Sequence, residues 1–556
     1  MIISSQFPAD WWKSAVIYQI YPRSFYDSDN DGIGDLKGIT QKLDYLNDGE
    51  GGGLGIDTIW LSPFFPSPMK DFGYDVSDYC GVDPIFGTLN DFEELVQSAH
   101  ARAMKVVIDL VLNHSSDQHP WFQESKKDRS NPKADWYVWQ DPKPGGGLPN
   151  NWLSVFGGPG WTFNEDRQQY YYHAFLKEQP DLNWYHPEVR EAVAEVFRFW
   201  AEKGVDGFRL DTANFYVHDR ELRDNPPQPE GHVPLEAREG LEYDKYVTRF
   251  SKDRPENFQC LKHIRQTLDA LSPHLTTIGE VGGIQDLDEL IDLSCSYVKG
   301  SEHLHMVYNF GLLGEINIPK VTRLLQLTES RIEDGWLSWS LGNHDCPRLT
   351  SRSGGNSDKP GIHQTLLLLL LCLKGTPILY YGDEIEMPEY PIHKEELQDP
   401  VGINYWPTYK GRDGCRTPFA WDCQKPNQGF NQGARPWLPA KSPVDLKEEQ
   451  KKTQGTYALT REMLGLRRNL PALQSGSFEL VFHDEHGFLF DRKLGGQSLR
   501  IACNLSDSSC QFNLDSETWS VVPLHTFAKQ GELDGSVLKL PSFGFSILKK
   551  LNESGS

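Results

Sequence analysis

Short apolar runs alternate with longer amphipathic ones along most of this chain, and few architectures tolerate that rhythm. Strand-like runs fall at 15–21, 56–63, 105–113, 206–212, 276–282, 303–310, 336–344 and 376–383. Helix-like patterns lie at 36–46, 88–103, 186–204, 258–271, 285–293, 319–330, 362–374 and 457–469. In Glu188–Trp200 the apolar residues recur at three- and four-residue steps, the spacing of a helix with one buried face. Strands that alternate with helices pair in parallel, and eight such units close on themselves. The expected class is therefore α/β, a (β/α)8 TIM barrel. An open doubly wound sheet is the rival, but no GxGxxG turn follows the first strand.

Two insertions break the beat. Residues 115–183, rich in Trp, Pro, Gly and Asn, are long enough for a small subdomain leaning over one rim, and 384–456 form a second. From about 472 the pattern changes to short alternating runs, such as Phe478–Phe482, Phe488–Arg492 and Leu499–Asn504. They read as a compact antiparallel β-sandwich. The expected domains are a barrel over 1–114 and 184–471, an inserted subdomain over 115–183, and a C-terminal β domain over 472–556.

A formal net charge of −23 argues against nucleic acid and anionic membrane as partners. The longest leucine run, Leu366–Leu371, is too short to span a bilayer, and the first residues lack the basic and apolar segments of a secretory signal. Nine Cys without a CxxC pair read as reduced thiols, with Cys415/Cys423 and Cys503/Cys510 the pairs nearest in sequence. The expectation is a soluble, cytoplasmic protein. Sixteen Trp and 22 Tyr offer flat faces suited to sugar rings, although most belong in a core.

Three of the strand-like runs end in acids: Val205–Asp211, Thr276–Glu280 and Trp339–Asp345. A single strand-terminal acid often caps the next helix. Three together, with Arg209 two residues before one and His344 directly before another, point to a shared site at one rim. Two carboxylates facing one bond are what glycosidic cleavage needs. Arg209 shares a face with Asp211 and is expected to keep it ionised, whereas Glu280 must hold its proton near neutrality. His114 and His344, each expected to end a barrel strand, are assigned to sugar contact. Asp109 and Asn113 are expected to support the rim through hydrogen bonds.

The run Asp27–Asp35 (DSDNDGIGD) reads as a cation loop. Asp27, Asp29 and Asp31 alternate, Gly32 allows the turn, Ile33 offers its carbonyl and Asp35 completes the set. The order follows an EF-hand through nine positions, but the twelfth is Gly38 rather than a bidentate Glu, so it is not one.

Six motifs in order then carry a resemblance. Asp109–His114 (DLVLNH), Gly207–Asp211 (GFRLD), Thr277–Glu280 (TIGE) and Asn343–Asp345 (NHD) resemble the four signature segments of the α-amylase superfamily, glycoside hydrolase family 13. Gln179–Asn183 (QPDLN) and Gly375–Glu384 (GTPILYYGDE) resemble further motifs of its α-glucosidase and oligo-1,6-glucosidase branch. The resemblance covers essentially the whole chain. It implies a retaining exo-α-glucosidase, with Asp211 as nucleophile, Glu280 as general acid/base and Asp345 as the third acid. It implies that Asp71 and Tyr74 shape the glucose pocket and that Arg416 pairs with Asp71 to close its end. Phe156 and Phe175 line that pocket or fill the core of the inserted subdomain.

Thr212, where Val accompanies α-1,6 cleavage in this branch, points to α-1,4 or sucrose-like substrates. The resemblance also implies a structural Ca²⁺ or Mg²⁺ at Asp27, Asp29, Asp31, Ile33 and Asp35, and no organic cofactor. Small α-glucosides and hydroxyl acceptors are the implied partners. A glucosyltransferase, a sucrose phosphorylase or an isomerase of the same superfamily is the alternative, but no basic cluster suits phosphate and 311–330 lack the isomerases' arginine-rich motif. A non-catalytic transporter-associated relative would have lost acids that are all present.

Overall fold

The structure, a computed structural model, describes residues 7–232, 241–283, 286–353, 359–515 and 518–551. In chain order the strands begin with β1 (Ile17–Ile20), β2 (Thr58–Leu61) and β3 (Lys105–Leu110). Then come β4 (Trp139–Gln140), β5 (Trp161–Asn164) and β6 (Gln169–Tyr172) of the first insertion, and β7 (Gly207–Leu210), β8 (Thr276–Glu280), β9 (Met306–Asn309), β10 (Leu337–Ser340) and β11 (Thr376–Tyr380). Strands β1, β2, β3 and β7 to β11 close into a parallel barrel in the order β1-β11-β10-β9-β8-β7-β3-β2. Every residue of β7 and β8 is buried, as parallel strands enclosed by helices must be.

Helices follow the strands on the outside. Pro187–Glu202 starts at the cap His186 with Pro at its first position and buries Val189, Val193, Val196, Phe197 and Trp200 on one face. Ile362–Cys372, which holds the leucine run, is buried all round. A helix without a polar face must be covered on every side, and this one contacts both the helix Thr456–Asn469 and the C-terminal domain. The helix-like pattern at 285–293 corresponds to Leu287–Val298, and residue 285 lies outside the described residues.

The strands are shorter than the apolar runs that announced them. Pairing stops where the chain turns out to build the rim, so His114 lies four residues past β3, and His344 and Asp345 lie four and five past β10. These three stand in rim loops, not at strand ends as the sequence reading placed them.

Strands β4, β6 and β5 form a small antiparallel sheet in the first insertion. The second insertion contains the short helix Pro400–Tyr405 and no strand among its described residues. The C-terminal domain adds β12 (Ser477–His483), β13 (Gly487–Leu494), β14 (Gln497–Asn504), β15 (Cys510–Asn513), β16 (Trp519–Val522), β17 (Glu532–Asp534), β18 (Val537–Leu540) and β19 (Phe545–Lys550). They make two antiparallel sheets, β12-β13-β14-β19-β16 and β15-β18-β17, which share a core of Leu489, Phe512, Leu538 and Leu548. All nine cysteines are free thiols, so neither near pair is bridged. No helix among the described residues is long and apolar enough to cross a membrane.

Candidate active site

Neighbouring strands deliver the two central acids together. In the register of β7 and β8, Leu210 lies opposite Gly279, so Asp211 and Glu280 leave the sheet side by side. One guanidinium holds them. Arg209 Nη1 lies 2.5 Å from Asp211 Oδ1 and 2.8 Å from Asp109 Oδ1, while Nη2 lies 2.7 Å from Glu280 Oε2. Two carboxylates on one fork are within the reach of a single sugar ring.

Thr212 locks this pair from the other side. Its φ of 41° is left-handed, a conformation that a β-branched residue adopts only when its surroundings enforce it. Here the backbone N–H donates to Glu280 Oε2 at 3.0 Å and the hydroxyl donates to Asp211 Oδ2 at 3.2 Å.

One cation against three buried acids leaves negative charge uncompensated, and protons answer it. Burial pushes Glu280 up to about 8, partly offset by Arg209 and reinforced by Asp211 and Asp345. Burial likewise raises Asp211 and Asp109 to about 6, against the pull of Arg209. At neutral pH the shared proton therefore rests on Glu280.

Asp345 goes the other way. Burial opposes its charge, but His344, Arg412 and Arg416 together hold its carboxyl well below the usual range. Burial pushes His344 down to about 3, so this ring is neutral and the two arginines supply the lasting attraction.

The arginine assignment made from sequence is corrected here. Arg416 does not pair with Asp71; its Nη2 donates to Asp345 Oδ1 at 2.8 Å and its Nε to the His344 carbonyl at 2.7 Å. Arg412 closes on Asp71 instead, at 2.8 Å, and also meets Asp399 at 2.8 Å and Asp345 at 3.2 Å. The single helical turn Asp413–Cys415 between the two arginines sends Arg416 beneath the site, 5.5 Å from the Tyr21 ring. Arg412 stays in the wall, 5.1 Å from the Phe156 ring.

These groups surround a cavity of about 450 Å³, within the usual size for a small-ligand site. Asp71, Tyr74, His114, Phe156, Phe175, Asp211, Thr212, Glu280, Asp345 and Arg412 all line it. Both phenylalanines thus belong to the wall as well as to the core of the insertion, with ring centres 5.6 Å apart. His344, expected to touch sugar, and Arg416, expected to close the pocket, do not line the cavity and stand behind its wall with Arg209.

His344 lies between the rings of Tyr21 and Tyr74, stacked on Tyr74 at 5.3 Å, and accepts from Gln19 at Nδ1. Its Nε2 then faces the Tyr74 hydroxyl at 2.5 Å and Asp345 Oδ2 at 3.2 Å. His114 is neutral, pushed down to about 4 by burial, and meets the Tyr74 carbonyl and Gln179. Asp109 and Asn113 are hydrogen-bonded rim supports: Asp109 accepts from Trp60 and Tyr74, and Asn113 donates to Asp181.

Sequence reasoning missed Arg412, Asp399 and Gln179. Gln179 donates to Asp71 Oδ2 at 3.1 Å from within the QPDLN run. The run GRDGCR contained the right arginine, but two candidates four residues apart carry no signal that separates them.

In the acidic loop, Asp27, Asp29 and Asp35 place carboxylate oxygens within 4.8 Å of one another; Asp31 is not in this group. Its carboxyl is raised by burial and by its three acidic neighbours and accepts from the Ile33 N–H. An all-oxygen, acid-rich set of this kind fits a hard cation. The loop also clips the second insertion, because Asp27 accepts from Asn431 and the Gly32 carbonyl accepts from the Trp437 N–H.

A closed parallel barrel that brings paired buried carboxylates to one rim has the arrangement that glycosidic cleavage uses. Comparison with known proteins makes the class specific: the α-amylase catalytic domain matches residues 19–476. The chain is 44% identical over 546 residues to a probable α-glucosidase of Rhizobium meliloti (strain 1021), covering 96% of each. It is 36% identical over 542 residues to an oligo-1,6-glucosidase of Parageobacillus thermoglucosidasius, covering 91% of this chain and 92% of that one. The crystal structure of the α-glucosyl transfer enzyme XgtA superposes with a TM-score of 0.91 at 41% identity, over 98% of this chain and all of that one. The chain belongs to the α-amylase family.

Proposed function

We propose that this protein is a retaining, exo-acting α-glucosidase that releases glucose from small α-glucosides through a covalent glucosyl–enzyme ester on Asp211. The observation that carries the exo reading is the ion-paired wall of Arg412, Asp71 and Asp345, braced from behind by Asp399, which this reading takes as the closed end of the cavity. A chain end enters such a pocket; the middle of a polysaccharide does not.

The geometry supports the chemistry step by step. Asp211 Oδ1 is held by Arg209, while Oδ2 bears the Thr212 hydroxyl and is the oxygen left to attack. Glu280 carries the proton that the departing oxygen needs. When Asp211 becomes an ester its charge disappears, and with it one of the influences raising Glu280. The Glu280 carboxyl then acidifies as it gives up its proton, and its conjugate base activates the second nucleophile. Asp345, kept anionic by its arginines, grips ring hydroxyls as positive charge develops on the sugar.

Water or another hydroxyl ends the cycle, so hydrolysis and transfer share one intermediate. Likeness to XgtA favours appreciable transfer to hydroxyl acceptors. Thr212 beside the nucleophile supports α-1,4 over α-1,6 linkages, with maltose or sucrose-like substrates. The acidic loop supports a structural Ca²⁺ or Mg²⁺ bound by Asp27, Asp29 and Asp35, with Asp31 and the Ile33 carbonyl beside them. Nine free thiols suit a reducing cytoplasm. Rates on maltose, sucrose and isomaltose, with the anomer released and the glucosylated products counted, test the reading. Maltose turnover with release of α-glucose supports it; strong isomaltose preference or release of β-glucose overturns it.

A further inference from the structure

Asp399 is wholly buried and does not line the cavity, yet it makes more contacts to Arg412 than any sugar-facing acid does. Its Oδ2 accepts from the Arg412 backbone N–H at 2.7 Å and from Nε at 3.1 Å, and its Oδ1 accepts from Nη2 at 2.8 Å. The same Nη2 then reaches Asp71 Oδ1 at 2.8 Å. Asp399 is itself fixed from behind, because Asp413 Oδ2 accepts from the backbone N–H groups of Gln398 and Asp399 at 2.7 and 2.8 Å.

The sequence makes room for this grip. Gly411 has a φ of 76°, and a Cβ there would lie 2.6 Å from Asp399 Oδ2 and 2.7 Å from the Gly402 Cα. Only a residue without a side chain lets the turn before Arg412 settle onto the carboxylate.

We propose that Asp399 is a positioning residue for the closed end of the sugar pocket: it presets the Arg412 guanidinium against Asp71 and so governs how tightly the terminal glucose is held. The inference rests on the α-glucosidase reading above and names the device that sets its affinity. A guanidinium free to rotate would lose side-chain freedom each time a sugar bound; one already fixed by two hydrogen bonds to Asp399, from Nε and Nη2, has little left to lose.

Asp399→Asn tests it. The change keeps the shape, and with the amide oxygen left on Nη2 and on the Val401 N–H that caps the short helix, the amide N–H groups replace Oδ2 and face the Arg412 Nε–H and backbone N–H donors. The expected result is glucose binding weaker by about tenfold, which is roughly 1.4 kcal/mol. KM for maltose should rise in parallel, with kcat and Tm little changed. In an Arg412→Ala background, Asp399→Asn should weaken glucose binding no further. Wild-type glucose affinity in Asp399→Asn overturns the proposal, and so does an equal extra loss without Arg412. If Asp399→Asn fails to fold, Asp413→Asn replaces it: a smaller loss that vanishes without Arg412 supports the proposal, and no loss overturns it. A wild-type protein that neither binds glucose nor cleaves maltose would sink the α-glucosidase reading itself; normal wild-type activity with an indifferent Asp399→Asn sinks only this inference.

Discussion

Glu280→Gln should make this protein more stable at neutral pH, and the gain should depend on pH in one direction. In the folded chain burial raises the Glu280 carboxyl from its ordinary 4.5 to about 8. Below about pH 4.5 the acid is protonated whether the chain is folded or not, so it costs nothing. As pH rises the unfolded chain releases the proton while the folded site keeps it, and stability falls until the folded group also titrates near pH 8. At pH 7 that deficit is about 3 kcal/mol, at roughly 1.4 kcal/mol for each pH unit between the two states. Gln matches the protonated acid in shape, still accepts from Arg209 and the Thr212 N–H, and has no proton to lose. Unfolding entropy of about 2 cal/mol/K per residue makes roughly 3 kcal/mol equivalent to about 3 °C for a chain of this length. Differential scanning calorimetry of both proteins from pH 4.5 to 8 reads it directly. The variant's advantage should be near zero at the acid end and grow to about 3 °C at pH 7. A difference that stays constant with pH, or a wild type that is the more stable at pH 7, would refute the reasoning.

Other outcomes follow from the same geometry. The pH profile of kcat/KM on maltose should be bell-shaped, with an acid limb near about 6 from Asp211 and a basic limb near about 8 from Glu280; a flat profile between pH 5 and 9 would count against both roles. Arg412→Ala should cost about tenfold or more in glucose affinity, roughly 1.4 kcal/mol. Arg416→Ala should instead lower kcat by loosening Asp345 and His344; identical kinetic signatures for the two would be the wrong result. Chelation of divalent ions should lower Tm and added Ca²⁺ or Mg²⁺ should restore it, because bound metal stabilises only the folded loop; an unchanged Tm speaks against a cation at Asp27–Asp35.

The barrel was legible because its signal is long and repetitive, and parallel strands buried on both faces announce themselves as apolar runs. Its limits were less so. Apolar character continues past the last ladder bond into the rim, which made His114 and Asp345 look like strand ends. The three acids could be named from sequence because each follows a strand, and barrel topology brings strand exits together. The closed end of the pocket could not. It is built from Asp71 on one loop and from Arg412, braced by Asp399, on an insertion with no periodic pattern. Which arginine meets which acid there depends on one short helical turn. Glu280's raised pKa depends likewise on how deeply the fold buries it and on the acids gathered around it, which only the folded register reveals.

The central claim is that Asp211 attacks the sugar while Glu280 supplies and then withdraws the proton. Glu280→Gln incubated briefly with an α-glucoside bearing a good leaving group, then quenched in acid and digested, tests it in one mass-spectrometric measurement. The leaving group needs little protonation to depart, whereas attack by water needs the missing base, so the intermediate should accumulate. The account predicts a single glucosyl increment on the peptide containing Asp211, absent in Asp211→Asn. A glucosyl group on another residue, or none while the substrate is consumed, would contradict it.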